Sequence, residues 1–349
     1  MLDLPCTHGA PPVRGRVRVA PEDFVVREWL GFEADGEGDH WLLTVRKRGA
    51  NTHWVAKQLA KRAQIHPRDV GFAGLKDRNA ITEQAFTVPV RSAVGAEWLG
   101  IMGEGFEVVR AERHKRKLKR GALRGNDFEI VVREFVGSAD ALAERVSLIS
   151  SRGVPNYFGP QRFGIDGGNL RRARQWLSGE LELHDRFERG FALSAARAAI
   201  FNSVLERRVI DSTWDQLLAG DVANLNGSNS IFRIDALDAV LSERCKEFDI
   251  HPTGPLWGRG PLASQGVVAT LEQDVATREA LLAEGLAGAG LEQERRSLRL
   301  GVSQFDCNVE GDQLRLKFRL TRGAFATSVL HELIEGVFGQ RTDESEDEG

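Results

Sequence analysis

From residue 16 to residue 28 apolar side chains recur in a strand-like alternation, at Val17 and Val19 and then at Phe24, Val25 and Val26. That pattern predicts β structure, interrupted by a turn at Pro21-Glu22-Asp23. The stretch Asp35-Gly36-Glu37-Gly38-Asp39 predicts a loop, and alternation resumes over 40–45, so the two strands are expected to pair as a hairpin. Asn51 or Thr52 caps a predicted helix running to about residue 64, with Trp54, Val55, Leu59 and Ala60 on its apolar stripe. Short strands are predicted at 70–73, 81–90, 105–109 and 128–132, followed by a helix over 139–150. The period then lengthens. Residues 169–209 read as helical, with Leu193, Ala196, Ile200, Val204 and Leu205 in phase, and more helix is expected to about residue 248. Residues 251–266 read as loop and the alanine-rich 270–290 as helix. Alternation returns at 298–309 and 314–320, and a last helix is predicted over 326–338. Residues 1–13 read as a loose arm. Mixed elements, then helix, then strands again predict an α+β protein with one domain inserted into another.

Length agrees with one large domain or two, at 349 residues. No apolar run approaches the ~20 residues of a membrane span, and the first 14 residues lack the basic-then-apolar pattern of a signal peptide. Cys6, Cys245 and Cys307 are scattered, as are the eight histidines. That usage predicts a reducing, cytoplasmic setting and no metal centre. The formal net charge of −3 conceals a local excess. Arg110, Arg113, Lys115, Arg116, Lys117, Lys119, Arg120 and Arg124 are opposed only by Glu112, while 343–348 form an acidic tail expected to be disordered. Such a basic stripe is either a solvated face or a surface for a polyanion, and its density points to the polyanion.

The chemistry centres on Gly71-Phe72-Ala73-Gly74-Leu75-Lys76-Asp77-Arg78-Asn79-Ala80-Ile81-Thr82-Glu83-Gln84. A strand runs into a loop that holds Asp77 between two cations, which favour its ionised form. By itself this describes a nucleophile or base acting on a polyanion, or equally a surface turn with an ion pair. Gly258-Arg259-Gly260 is followed at once by Pro261 and has no long apolar strand before it, which argues against a dinucleotide loop. No phosphate-binding loop of the Gly-x-x-x-x-Gly-Lys-Ser/Thr type and no nucleophile-elbow serine occurs. One acid among glycines, aromatics and cations, with a basic stripe elsewhere, fits an enzyme acting on a nucleotide drawn out of its stack.

Five motifs together resemble the TruD family of pseudouridine synthases. They are the segment from Gly71 to Gln84, Pro21-Glu22-Asp23-Phe24-Val25-Val26, Leu123-Arg124-Gly125-Asn126, Pro155-Asn156-Tyr157-Phe158-Gly159-Pro160-Gln161-Arg162-Phe163-Gly164, and Gly323-Ala324-Phe325-Ala326-Thr327-Ser328. They follow the family's order and span nearly the whole chain. The resemblance implies a catalytic domain with a mixed, mainly antiparallel sheet over 1–151 and 301–342, an inserted helix-rich domain over 152–300, and the tail over 343–349. It implies conversion of uridine to pseudouridine at position 13 of tRNA, with Asp77 as the nucleophile and no cofactor. A tRNA-binding protein that keeps the fold without the activity is the alternative, and a hydrolase using Asp77 as base a further one. By matching positions, Phe24 and Phe128 would line the pocket, Asn126 would meet the uracil edge or Asp77, and Phe325 would stack on the target base. Arg18 stands where the family usually has a lysine paired with the acid, which leaves Lys76 and Arg78 for phosphate. The run from Arg113 to Arg124 would hold the tRNA backbone, and the motif from Asn156 to Gly164 would be chiefly structural. Nothing in the sequence demands an oligomer, so a monomer is expected.

Overall fold

The computed structural model describes residues 4–76, 80–90 and 98–338. The chain divides into two compact units, one made of Pro12–Val146, Ser303–Gly323 and Ile334–Gly349, the other of Met1–Pro11, Ser147–Val302 and Ala324–Leu333. The first is built on an eleven-stranded sheet. Its strands are β1 (Val13–Val17), β2 (Phe24–Trp29), β3 (His40–Lys47), β4 (Gly71–Phe72), β5 (Ile81–Pro89), β6 (Met102–Gly103), β7 (Phe106–His114) and β8 (Gly125–Gly137), with Ser303–Glu310, Gln313–Thr321 and Ile334–Phe338. From the Ser303–Glu310 edge the order runs through Gln313–Thr321, β8, β2, β5, β3, β7 and β6. Neighbours are antiparallel except for β2 with β5 and β1 with Ile334–Phe338, so the sheet is mixed and mainly antiparallel.

Helix α1 (Thr52–Ala63) starts where Asn51 accepts a hydrogen bond from the Trp54 amide at 2.7 Å. Its buried stripe of Val55, Ala56, Leu59, Ala60 and Ala63 packs on Leu43, Val45, Phe86, Val88 and Val108 of the sheet. Full burial of Val55 and Leu59 contributes about 1.5–3 kcal/mol each, and the alanines let α1 lie close on that face.

Three expectations for this unit change. The hairpin between the strands at 24–29 and 40–47 does not form, because β5 lies between β2 and β3 and pairs with both. Local alternation shows that strands exist but not which ones pair. The strands predicted at 105–109 and 128–132 extend to His114 and over Gly125–Gly137, so Arg110 and Arg113 sit on a strand. The last helix stops at Leu333, and Ile334–Phe338 pairs in parallel with β1. The run Ile334-Glu335-Gly336-Val337-Phe338 combines good strand formers with a glycine that weakens helix.

The second unit is helical around Gly168–Leu177, Arg186–Ile210, Gly266–Arg278 and Ala280–Gly288, which share a core of Ala173, Ala196, Ile200, Val204, Leu282 and Leu286. The helical run expected over 169–209 is two helices, the second capped by Asp185, which accepts from the Phe187 and Glu188 amides. The further helix to 248 is replaced by Val222–Leu225 and Ile231–Arg233, joined as a hairpin, and by the short helix Ala239–Lys246. The first half of the expected loop at 251–266 is the strand Ile250–Leu256, which joins Val222–Leu225 to Glu294–Ser297 in a four-stranded sheet. Pro252 and Pro255 lie inside it, and residues without an N–H disguise a strand to pattern reading. Residues 4–11 are not a loose arm: the Thr7 and His8 amides donate to buried Glu332 at 2.8 and 3.2 Å. Among the described residues no helix is long and apolar enough to cross a membrane.

Candidate functional site

The register of the large sheet sets Lys47, Thr82, Val26, Phe128 and Phe318 in one row across β3, β5, β2, β8 and Gln313–Thr321. Side chains in one row project to the same face. Two residues along, that face carries Val45 beside Gln84, and Glu28 beside Asn126 and Leu320. The face is otherwise apolar core, yet Lys47 is 1% exposed and Thr82 and Gln84 are fully buried. Polar groups at such positions are costly unless hydrogen-bonded, and most of these are. Lys47 Nζ donates to the carbonyls of Ala50 and Lys76 at 3.0 and 3.3 Å. Thr52 Oγ1 donates to Gln84 Oε1 at 2.9 Å and accepts from the Lys76 amide at 3.1 Å. Gln84 Nε2 donates to the Gly74 carbonyl at 2.6 Å.

Lys76 closes this polar island. Its ammonium lies 2.6 Å from Glu28 Oε1, with side chains 8% and 2% exposed, and Glu28 Oε2 accepts from the Ala85 amide at 2.9 Å. The expectation that Lys76 serves phosphate gives way to a buried ion pair. Lys76 is thus held at its amide, its carbonyl and its ammonium. Asp77 and Arg78, the next two residues in sequence, lie outside the described residues, and with them the expected pairing of Asp77 with Arg18.

Arg18 follows β1 with φ +61°, a conformation uncommon outside glycine. Its guanidinium carbon sits 3.9 Å from the centroid of the Phe24 ring. Phe24 and Phe128 are 4% and 8% exposed, their rings 6.1 Å apart edge to face, and Phe128 stacks on Phe318 at 5.4 Å. Both aromatics belong to the floor of this face, and Arg18 covers Phe24. The turn that carries Arg18 is pinned by Asp23, which is 1% exposed and accepts three bonds from Arg133, two from Nε at 2.9 and 3.0 Å and one from Nη2 at 2.7 Å, and one from the Ala20 amide at 2.8 Å. Burial by itself would raise the Asp23 carboxyl, but those bonds outweigh it and hold its pKa below the usual carboxylate value. Asn126, on the face that carries Glu28, brings a buried amide oxygen with no hydrogen-bond partner among the described residues.

The basic run divides in two. Arg110 pairs with Glu112 at 2.6 Å, Arg113 donates from Nε to the Gly38 carbonyl at 2.9 Å, and Lys115 meets Glu37 at 2.8 Å. From Arg116 onward the pattern changes. Arg116, Lys117, Lys119, Arg120 and Arg124 make no ion pair with a described carboxylate within 4.0 Å. The segment is rigidly mounted: Leu118 N donates to Thr87 Oγ1 at 2.9 Å and Gly121 N to the Ala73 carbonyl at 2.7 Å. Gly71 lets it approach, since a Cβ there would lie 2.4 Å from Thr87 Oγ1 and 2.6 Å from the Leu118 carbonyl oxygen.

Phe325 belongs to the second unit. Its ring lies 6.1 Å from that of Phe158, with the guanidinium carbons of Arg162 and Arg296 each 6.0 Å away. Burial pushes the Arg296 pKa down to about 10, helped by the charge of Arg162, which burial also lowers. The surrounding motif is a knot of structural bonds. Asn156 Nδ2 donates to the Ser297 carbonyl at 2.8 Å, Asn202 brackets the Phe158 backbone with two bonds of 2.9 Å, and Ser328 Oγ donates to the Tyr157 carbonyl at 3.1 Å. Tyr157, the only tyrosine, is 3% exposed, and burial drives its ionisation upward.

Glu28, Lys47, Thr52 and Gln84 were not singled out from the sequence. The signal was present: Glu28 is in phase with Phe24 and Val26, Gln84 with Phe86 and Val88, and Lys47 with Leu43 and Val45. A polar residue at a core-facing position of a strand is the mark Glu28, Lys47 and Gln84 share, whereas Thr52 opens α1. No cluster of His, Cys, Asp and Glu suited to a metal ion occurs among the described residues.

These features define an α+β protein of two units, one a mixed sheet with a buried polar island on one face, the other rich in helices. The fold matches that of a solved structure assigned to TruD from Methanosarcina mazei, with a TM-score of 0.69 over 95% of this chain and 94% of that one, at 20% identity. The family model for tRNA pseudouridine synthase D (TruD) matches residues 5–177 and 168–333. A tRNA pseudouridine synthase D of Methylococcus capsulatus is 45% identical over 334 residues, covering 95% of this chain and 94% of that protein. Its counterpart in Nitrosococcus oceani is 44% identical over 330 residues, covering 93% and 92%. The chain belongs to the TruD family.

Proposed function

We propose that this protein converts uridine to pseudouridine in transfer RNA, at position 13, with Asp77 as its nucleophile. Support comes from relatives named for tRNA pseudouridine synthesis at up to 45% identity across 95% of the chain. The observation that carries the site assignment is the buried polar island, which fixes the amide, carbonyl and ammonium of Lys76, the residue directly before Asp77. In this reading the first unit is the catalytic domain and the second the family's insertion.

The reaction is an isomerisation and needs no outside reagent. The bond from N1 of uracil to C1′ breaks, the uracil turns, C5 bonds to C1′, and C5 gives up a proton while N1 gains one. An ionised carboxylate serves as nucleophile in forming the transient intermediate. Asn126 takes the uracil N3–H on its amide oxygen, and Phe24 and Phe128 form the apolar floor that keeps the turning base from water. Arg18 supplies positive charge beside that floor. Glu28 acts as a positioning residue through Lys76. Arg116, Lys117, Lys119, Arg120 and Arg124 hold the phosphate backbone and set the position of the RNA, without reading its sequence.

The test is incubation of the purified chain with a tRNA transcript that carries uridine 13, followed by mapping of pseudouridine. Modification at position 13 alone is expected, and none in a transcript with cytidine there. No pseudouridine, or pseudouridine only elsewhere, would overturn the reading, and release of free uracil would replace it with hydrolysis.

A further inference from the structure

A hollow of about 380 Å³ opens in the sheet unit between α1, the turn Pro67–Asp69, β4 and the basic segment. It is in the size range of small-ligand clefts. Its rim carries Lys57, Arg68, Lys117 and Arg120, and no carboxylate is among its lining residues within the described part of the chain. Its floor is Phe72, which meets the edge of His53 with ring centroids 5.5 Å apart and carries the Arg120 guanidinium carbon 4.0 Å from its own centroid. The Lys117 ammonium is anchored to the Arg68 carbonyl at 2.6 Å, so the two sides of the rim are tied together. Four cations with no acid among the described lining residues attract an anion, and a guanidinium laid on an aromatic ring presents a flat, weakly hydrated surface on which a nucleobase stacks.

We infer that this hollow is a second RNA site, which takes one unpaired nucleotide of the substrate away from the reacting uridine. The base lies on Arg120 over Phe72, and the flanking phosphates meet Lys57, Arg68 and Lys117. The inference rests on the tRNA reading above. It adds Lys57, Arg68 and the Phe72–Arg120 stack to the expected backbone surface and gives that surface a pocket for a base. Phosphate contact alone would need only charge. The ring under Arg120 is what selects a nucleotide.

Equilibrium binding of the uridine-13 transcript to the full chain tests it across a salt series. Lys57 and Arg68 are exposed, so the double variant Lys57→Ala/Arg68→Ala should fold. It is expected to bind about tenfold more weakly, with the slope of log affinity against log salt reduced by about one to two, as loss of two phosphate contacts requires. Arg120→Lys keeps the charge and loses the stack, and should bind at least about fivefold more weakly with the wild-type slope. Wild-type affinity and slope in the double variant would overturn the site, and wild-type affinity in Arg120→Lys would overturn the base pocket. If the wild-type chain forms pseudouridine while these variants bind normally, only this inference fails. A wild-type chain that forms none defeats the functional reading itself.

Discussion

The buried pair of Lys76 and Glu28 is the residue-scale feature that most constrains the proposed chemistry. Two charges 2.6 Å apart, both nearly excluded from water, are held only because each has a partner. Removing one charge of such a pair costs about 3–5 kcal/mol in buried settings. Glu28→Gln preserves shape and the bond from the Ala85 amide but leaves the Lys76 ammonium without its anion. Lys76 precedes the proposed nucleophile, and a misplacement of about 1 Å at a reacting group costs on the order of 100-fold in rate. Glu28→Gln is therefore expected to lower the single-turnover rate roughly 10- to 100-fold while tRNA affinity changes less than twofold. An equal loss in binding and rate would mean that Glu28 supports only the fold. From the sequence Lys76 was legible as a cation beside an acid. Its true partner was not, because Glu28 is 48 positions away and adjacent only through the parallel pairing of β2 with β5.

At the scale of elements, Asp23 joins the turn after β1 to β8 through Arg133 and so holds Arg18 where it is. Because the folded-state pKa of Asp23 is lowered, its contribution to stability is complete above the unfolded value of about 3.9 and is lost as pH falls through the folded value. Asp23→Asn should lower thermal stability at pH 7 by an amount equivalent to roughly 1–3 kcal/mol, in line with a charged hydrogen bond whose arginine is partly exposed. The gap between variant and wild type should narrow as pH drops below about 4, read from melting temperatures across a pH series. A gap that stays constant to pH 3 would contradict the assignment. The same turn shows what patterning could and could not reveal. Alternation located β1, β2 and the break between them. It could not show that β5 separates β2 from β3, since pairing depends on which edges meet in space. It also misjudged the end of the last helix, where Ile334–Phe338 pairs with β1 some 320 residues earlier. In the helical unit the prolines of Ile250–Leu256 hid a strand whose place is set by its neighbours.

At the scale of the whole molecule, the switch from mixed elements to helix and back to strands makes the α+β organisation legible in the sequence. Residues 4–11 and 324–333 belong to the helix-rich body, which places Phe325 with Phe158, Arg162 and Arg296. Long motifs made the family legible because they record chemistry, whereas the polar island is drawn from three strands, the start of α1 and a loop, and only the pairing of those elements brings its members together. The central claim is that Asp77 makes the reaction possible and is not needed to hold the RNA. Single-turnover formation of pseudouridine by Asp77→Asn, with tRNA binding measured in parallel, tests it most directly. Asp77→Asn is expected to bind within about threefold of wild type and to form no detectable pseudouridine. Modification by Asp77→Asn at the wild-type rate would contradict it.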